Sequence, residues 1–267
     1  MTKTVTDFQK MKDQGEKIVM VTAYDYAMGK AVAQSGVDLI LIGDSVGMVV
    51  LGYETTLDVD VDQMIHHSIA TRRGAPDTFI VVDMPFMSYH NPEEAKVNAA
   101  DLIVQGKANA VKLEGGSLSR IEAIEAIVDC EIPVCGHIGL TPQSVHRFGG
   151  YKVQGKSSDA YSELIRQAHV IQEAGAFMLV LEGIPELLGK EISEQLRIPT
   201  IGIGAGRYTE GQVLVWHDML GFTSNPAKFV KIYAELEKLS IQALDAYASE
   251  VKDGSFPGES NTYYPIK

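Results

Sequence analysis

The chain alternates between two textures. Short apolar runs, many of them β-branched, read as strands buried on both faces. They are IVMVTAY (18–24), DLILIGD (38–44), FIVVDMP (79–85), AVKLE (110–114), IPVCGHIGL (132–140), AFMLVLEG (176–183), PTIGIGAG (199–206) and QVLVWHD (212–218). Between most of them lie polar, Ala-rich stretches with helical spacing, such as NPEEAKVNAADLIVQG and SSDAYSELIRQAHVIQEAG. Asn91-Pro92-Glu93-Glu94 has the chemistry of a helix start: a capping side chain, a proline in the first turn, then acids near the positive end of the helix dipole. Gly36, Gly106 and Gly175 mark helix ends. Eight strands with intervening helices predict a single α/β domain over 1–267. It is a (β/α)8 TIM barrel with an N-terminal helical segment and a C-terminal tail.

One interval fits that pattern badly. Residues 207–211 are too few for a crossover helix, which makes parallel connections about ten or more residues long. A later start for strand eight, with 209–214 as a short helix, would relieve this. An open doubly wound sheet is the alternative. The barrel is preferred because no composition break splits the chain and no dinucleotide fingerprint follows the first strand. Gly202-Ile203-Gly204-Ala205-Gly206 has the wrong spacing for that fingerprint, leaving close backbone packing at a barrel rim or an anion cradle. A last amphipathic helix is expected over roughly 226–248, followed by a Gly/Pro/Ser-rich tail that is either frayed or packed over a neighbouring surface through Phe256, Tyr263 and Tyr264.

Composition and charge narrow the function classes. The 267 residues carry 23 Lys and Arg against 35 Asp and Glu, a formal charge of −12. Such a surface argues against nucleic acid and against anionic lipid. No apolar run approaches the roughly 20 residues of a membrane span, and the N-terminus has no signal-peptide core, so the expected compartment is the cytoplasm. Cys130 and Cys135 are too few for a disulfide framework and are not spaced as zinc ligands.

A barrel's working residues lie at the carboxyl ends of its strands. Polar residues break the apolar runs there: Asp44 and Ser45 after strand two, Asp83 ending strand three, Lys112 and Glu114 on strand four, His137 on strand five, Glu182 ending strand six. Converging on one rim, such groups need a ligand or metal to offset desolvation and repulsion. Asp44 and Asp83 make a hard oxygen pair suited to Mg²⁺, with Glu114 a direct ligand or one acting through a water. Each acid alone would read as a helix N-cap. Zinc fits less well, because His66 and His67 are adjacent on a helix and face different ways. Lys112 and Glu114 are two apart on a strand and point the same way. The partner of Lys112 is then Glu114 itself, or a substrate carboxylate or enolate oxygen; a Schiff base ranks below these. Glu182 emerges from apolar neighbours, where burial raises a carboxyl pKa and suits a general base; its structural reading is a cap for a helix over 186–196. His137 is read as bonding backbone rather than ligand. The segment 46–59 is long for a βα loop and reads as a lid or as an interface patch.

These residues sit in segments that resemble one family. GDSVGMVVLGYETTLDV, VVDMPFMSY, AVKLEGG, GHIGLTPQS, LVLEGIP, IGIGAG and the terminal GSFPGE, in that order, are similar to ketopantoate (3-methyl-2-oxobutanoate) hydroxymethyltransferases. The resemblance implies a barrel of the phosphoenolpyruvate mutase/isocitrate lyase type. It implies transfer of a hydroxymethyl unit from 5,10-methylenetetrahydrofolate to 3-methyl-2-oxobutanoate, giving 2-dehydropantoate in pantothenate biosynthesis. It places one Mg²⁺ per subunit on Asp44, Asp83 and Glu114, the keto acid on Asp44, Ser45, Asp83 and Lys112, and the proton acceptor on Glu182. It also implies a large homo-oligomer, a decamer. Two further readings stay open at this point: a Mg²⁺-dependent carbon–carbon lyase using the same enolate logic, and a non-catalytic keto-acid sensor.

Overall fold

Eight parallel strands close on themselves in sequence order, β1 pairing with both β2 and β8. They are β1 (Ile18–Thr22), β2 (Leu39–Ile42), β3 (Phe79–Asp83), β4 (Ala110–Glu114), β5 (Val134–Gly139), β6 (Met178–Glu182), β7 (Thr200–Ile203) and β8 (Gly211–Leu214). This computed structural model describes residues 2–264, so residues 265–267 of the expected tail lie outside the described residues. The barrel is therefore as expected, and the open sheet is excluded.

The helices are α1 (Val5–Gln14), α2 (Tyr26–Ala33), α3 (Val46–Val49), α4 (Val61–Gly74), α5 (Pro92–Val104), α6 (Leu118–Asp129), α7 (Val145–Phe148), α8 (Ser158–Glu173), α9 (Glu186–Gln195), α10 (Trp216–Met219) and α11 (Leu236–Asp253). The Asn91 side chain accepts from the Glu94 amide and Pro92 opens α5, as the sequence chemistry requires. The chain divides into two compact units, Met1–Trp216 and His217–Lys267.

In the first unit, alternation along each strand fills the barrel. Met20, Leu41, Val81, Cys135, Val180, Ile201 and Val213 point inward into one buried cluster. α1 closes the amino end: Phe8 is fully buried and its ring meets that of Phe79 edge-on at 5.1 Å between centroids. Because the side-chain period is two, the next inward positions toward the carboxyl end carry Thr22, Gly43, Asp83, His137, Glu182, Ile203 and Val215. The apolar plug thus gives way to polar groups within one layer.

Strand eight starts at Gly211, where the apolar run from 212 places it, and the later start with a short helix over 209–214 is not seen. The run ends sooner than expected, because Trp216–Met219 form α10. Residues 204–210 form no helix. A crossover helix is dispensable here because the Glu210 carboxylate accepts from both the backbone N–H and the hydroxyl of Thr200, tying the short loop back to β7. The glycines of this stretch serve close packing: Gly206 has φ +83°, and a Cβ there would lie 2.3 Å from Glu186.

In the second unit, the last helix begins at Leu236, not near 226. The amides of Tyr233 and Leu236 donate to the carbonyls of Met219 and Leu220, which holds 220–235 in an irregular return and keeps it out of the helix. No residue of α11 is buried; Ile241, Leu244, Tyr247 and Val251 form an exposed apolar stripe. Phe256 of the tail packs against Tyr247 at 5.5 Å between ring centroids, while Tyr263 and Tyr264 stand exposed.

Candidate active site

Register brings the charged residues together at the carboxyl end. Asp83 of β3 pairs with Lys112 of β4, and Glu114 with His137 of β5. Thr22, Asp44, Ser45, Asp83, Lys112, Glu114, His137 and Glu182 all line one cavity of about 130 Å³, so the seven strand-end residues named from the sequence converge. Met48 and Thr56 also line it, which places part of the 46–59 segment at the cavity wall.

Lys112 Nζ lies 3.1 Å from Asp83 Oδ1 and 3.1 Å from His137 Nδ1. Its nearest carboxylate is therefore Asp83 across the strand, not Glu114 along it. Burial disfavours the ammonium, but Asp83, Glu114 and Asp44 outweigh it and hold the Lys112 pKa above the ordinary lysine value. His137 does not bond backbone, contrary to the reading from sequence. Its Nδ1 is 3.5 Å from Glu114 Oε1, and its Nε2 is 3.2 Å from Glu182 Oε2 as an ion-pair contact without an aligned hydrogen bond. Burial and the Lys112 charge push the imidazole pKa down, yet the flanking carboxylates of Glu114 and Glu182 raise it to about 9.

The acids cap nothing. The N-cap of α3 is Ser45, with no side-chain cap bond, and that of α9 is Pro185. Asp44 and Asp83 instead meet each other, the Asp44 amide donating to Asp83 Oδ2 at 3.0 Å. Burial, then the charges of Asp83 and Glu114, drives the Asp44 carboxyl well above the usual carboxylate range. Asp83 is raised mainly by burial, against the pull of Lys112. Glu114 falls below its ordinary value although burial opposes this, because His137 and Lys112 stabilise the anion. Ser45 Oγ is 2.8 Å from the Tyr24 hydroxyl. Glu182 is less enclosed than the other acids, its side chain 15 % exposed.

A model of the ketopantoate hydroxymethyltransferase family matches residues 2–259. The chain belongs to the ketopantoate hydroxymethyltransferase family. The 3-methyl-2-oxobutanoate hydroxymethyltransferase of Clostridium botulinum (strain Alaska E43 / Type E3) is 52% identical over 265 residues, covering 98% of this chain and 96% of the relative. That of Geobacter metallireducens (strain ATCC 53774 / DSM 7210 / GS-15) is 52% identical over 263 residues, covering 98% of each. The fold is shared with 2,3-dimethylmalate lyase, a member of the PEP mutase/isocitrate lyase superfamily, at TM-score 0.62 and 12% identity, over 99% of this chain and 93% of that one. It is shared also with phosphoenolpyruvate phosphomutase from Streptomyces platensis subsp. rosaceus, at TM-score 0.63 and 13% identity, over 98% and 92%. The enzyme is thus a transferase, a hydroxymethyltransferase of the ketopantoate type, and the lyase and sensor readings fall away.

The sequence reading missed Gln143, which braces the acids of this hydroxymethyltransferase site. Gln143 Nε2 donates to Asp44 Oδ2 at 2.8 Å and to the Met84 carbonyl at 3.0 Å, and the Gln143 backbone N–H donates to Glu114 Oε2 at 3.0 Å. Its amide oxygen accepts from the Tyr89 hydroxyl. A glycine makes this approach possible. Gly139 ends β5 at φ +100°, where a Cβ would lie 2.2 Å from the Glu182 carbonyl oxygen. The chain therefore turns sharply across the rim and delivers Gln143. The only signal in the sequence was its place within the GHIGLTPQS segment.

The donor set fits Mg²⁺. Three buried carboxylates face Lys112 and His137, and burial together with the charges of Asp83 and Glu114 raises the Asp44 carboxyl well above the usual range, a penalty that a cation would relieve. Among the described residues, no group of three His, Cys, Asp or Glu forms a ready metal cage. Mg²⁺ in general needs only one or two protein carboxylates, with water and substrate oxygens completing its octahedron, so Asp44 and Asp83 are the pair to test. Among the described residues, no helix is long and apolar enough to cross a membrane.

Proposed function

We propose that the enzyme transfers the one-carbon unit of 5,10-methylenetetrahydrofolate to C3 of 3-methyl-2-oxobutanoate through an enolate, with Mg²⁺ as its cofactor. The observation that carries this is the shared cavity: Asp44 and Asp83 on one side, Glu182 of β6 on another, with Lys112 and His137 between them. Removal of a proton beside a carbonyl needs a base at carbon and positive charge at oxygen, and both stand at one small site.

Asp44 and Asp83 would hold the metal, with Glu114 joining them directly or through a water. Bound there, Mg²⁺ supplies Lewis-acid stabilisation of the keto oxygen as it gains charge. Lys112, kept as an ammonium by its acidic neighbours, adds positive charge for the carboxylate and the developing oxyanion. Ser45 is placed to hydrogen-bond the carboxylate end. Glu182 takes the C3 proton, and His137 holds Glu182 from the opposite side. Water and the enolate carbon each bond to the methylene carbon of the donor as its two carbon–nitrogen bonds break. The water oxygen becomes the hydroxyl of the product, and the two nitrogens of the released tetrahydrofolate take one proton from that water and the one that Glu182 removed from C3. The product, 2-dehydropantoate, would serve pantothenate biosynthesis in the cytoplasm.

The exposed stripe on α11 supports a homo-oligomer, a decamer by the family resemblance. Mg²⁺-dependent exchange of the C3 proton of 3-methyl-2-oxobutanoate in D₂O, followed by NMR, tests the enolate. Exchange without folate is expected; no exchange under any metal condition contradicts it.

A further inference from the structure

The cavity that gathers the strand-end acids is small, about 130 Å³. A second, larger cavity of about 540 Å³ lies against it, within the range of sites for drug-sized ligands. Glu114 lines both. Gln143 stands in the wall of the larger one while its side-chain amide holds Asp44 in the smaller.

The larger cavity has two chemistries. Phe86, Tyr89 and Phe148 supply aromatic surface. Arg120, Arg147 and Arg166 supply guanidinium groups. Arg166 is neutralised by Glu163 through bonds of 2.7 and 2.6 Å. Arg120 is fixed over the Tyr89 ring, 4.6 Å from its centroid, and donates to the Tyr89 carbonyl. Among the described residues, neither Arg120 nor Arg147 pairs with a carboxylate. In a chain with twelve more acidic than basic charges, two uncompensated guanidinium groups in one cavity are a local inversion of charge. A guanidinium fork matches a carboxylate in two parallel hydrogen bonds, and aromatic walls match a planar ring.

We propose that this larger cavity is the site of the one-carbon donor, a ring system with a carboxylate tail, whose carboxylates are taken by Arg147, with Arg120 held over Tyr89 at the ring end. The assignment rests on the folate reading above. It seats the ring end toward the wall formed by Glu114 and Gln143, beside the keto acid, and the tail toward α7, which carries Arg147 and Phe148.

The test is direct titration of the full-length protein with tetrahydrofolate carrying a single glutamate and, separately, a γ-linked glutamate chain. Mg²⁺ and 3-methyl-2-oxobutanoate are present throughout. Arg147 is exposed, so its replacement spares the core. Arg147→Glu is expected to weaken tetrahydrofolate binding by about tenfold or more, while affinity for 3-methyl-2-oxobutanoate in the same preparation reports an intact fold. Phe148→Ala, a neutral change on the same helix, is expected to weaken it as well. The longer glutamate chain should bind more tightly to the wild type, with the advantage lost in Arg147→Glu and reduced by salt. If both variants bind tetrahydrofolate as the wild type does, the cavity assignment is overturned and the folate reading stands. If the wild type binds no tetrahydrofolate, both are overturned.

Discussion

Gln143 Nε2 donates to Asp44 Oδ2 at 2.8 Å across ninety-nine positions of sequence. This bond orients one carboxylate oxygen and partly offsets the repulsion that Asp44 feels from Asp83 and Glu114. Partners of this kind set ligand geometry and charge, and losing one typically costs about 10- to 100-fold in metal affinity. Gln143→Ala is therefore expected to raise the Mg²⁺ concentration required for keto-acid binding by about that factor. Titration at fixed keto acid and varied Mg²⁺ reads this. A loss of thermal stability with unchanged Mg²⁺ dependence would leave Gln143 a purely structural residue.

Asp83 accepts from the Asp44 amide and faces Lys112. Asp83→Ala should abolish Mg²⁺-dependent binding of 3-methyl-2-oxobutanoate while circular dichroism shows a folded barrel. Chelation of Mg²⁺ should do the same to the wild-type protein. Keto-acid binding that remains fully metal-dependent in the variant would remove Asp83 from the metal site.

Lys112 is expected to act as a charge and not as a nucleophile. Its pKa is raised, so the ammonium present below that pKa persists through the neutral range and the free amine needed for an imine is scarce. Borohydride reduction in the presence of substrate should leave the protein mass unchanged. A reduced adduct on Lys112 would move the mechanism to a Schiff-base aldolase.

The strand-end acids were legible in sequence because the period of a strand is two and the barrel's apolar interior ends at a fixed layer. Val81 predicts the direction of Asp83, and Lys112 that of Glu114. Gln143 was hidden because its position depends on the turn at Gly139 and on a contact between distant elements. The partners of His137 were hidden for the same reason: pattern shows that its ring points inward, while register with β4 and β6 decides that it meets Lys112, Glu114 and Glu182. The β7–β8 loop looked too short for a barrel because the pattern does not show that Glu210 ties it back to Thr200 of β7. The late start of α11 was missed because apolar spacing continues through 226–235 while the backbone there bonds to 219–220.

Association is expected from α11. Ile241, Leu244, Tyr247 and Val251 recur on one face and are all exposed. Contiguous apolar surface of this kind marks an interaction site. Light scattering should give a mass many times that of one chain. Ile241→Glu with Leu244→Glu should shift the particle toward smaller species. A monodisperse wild-type monomer at micromolar concentration would contradict the assembly.

Glu182 carries the central claim. Its carboxylate reaches the shared cavity from β6, is held by His137 at 3.2 Å, and alone among the site's acids is partly open to substrate. Glu182→Gln preserves size and hydrogen bonding but removes the basic oxygen. The decisive measurement is C3 proton exchange of 3-methyl-2-oxobutanoate in D₂O with saturating Mg²⁺, in Glu182→Gln beside the wild type. The expected result is retained keto-acid binding with exchange slowed by about 10²-fold or more, the scale of losing a positioned base. Near-normal exchange in a variant that still binds keto acid would contradict the assignment and place the base elsewhere on the rim.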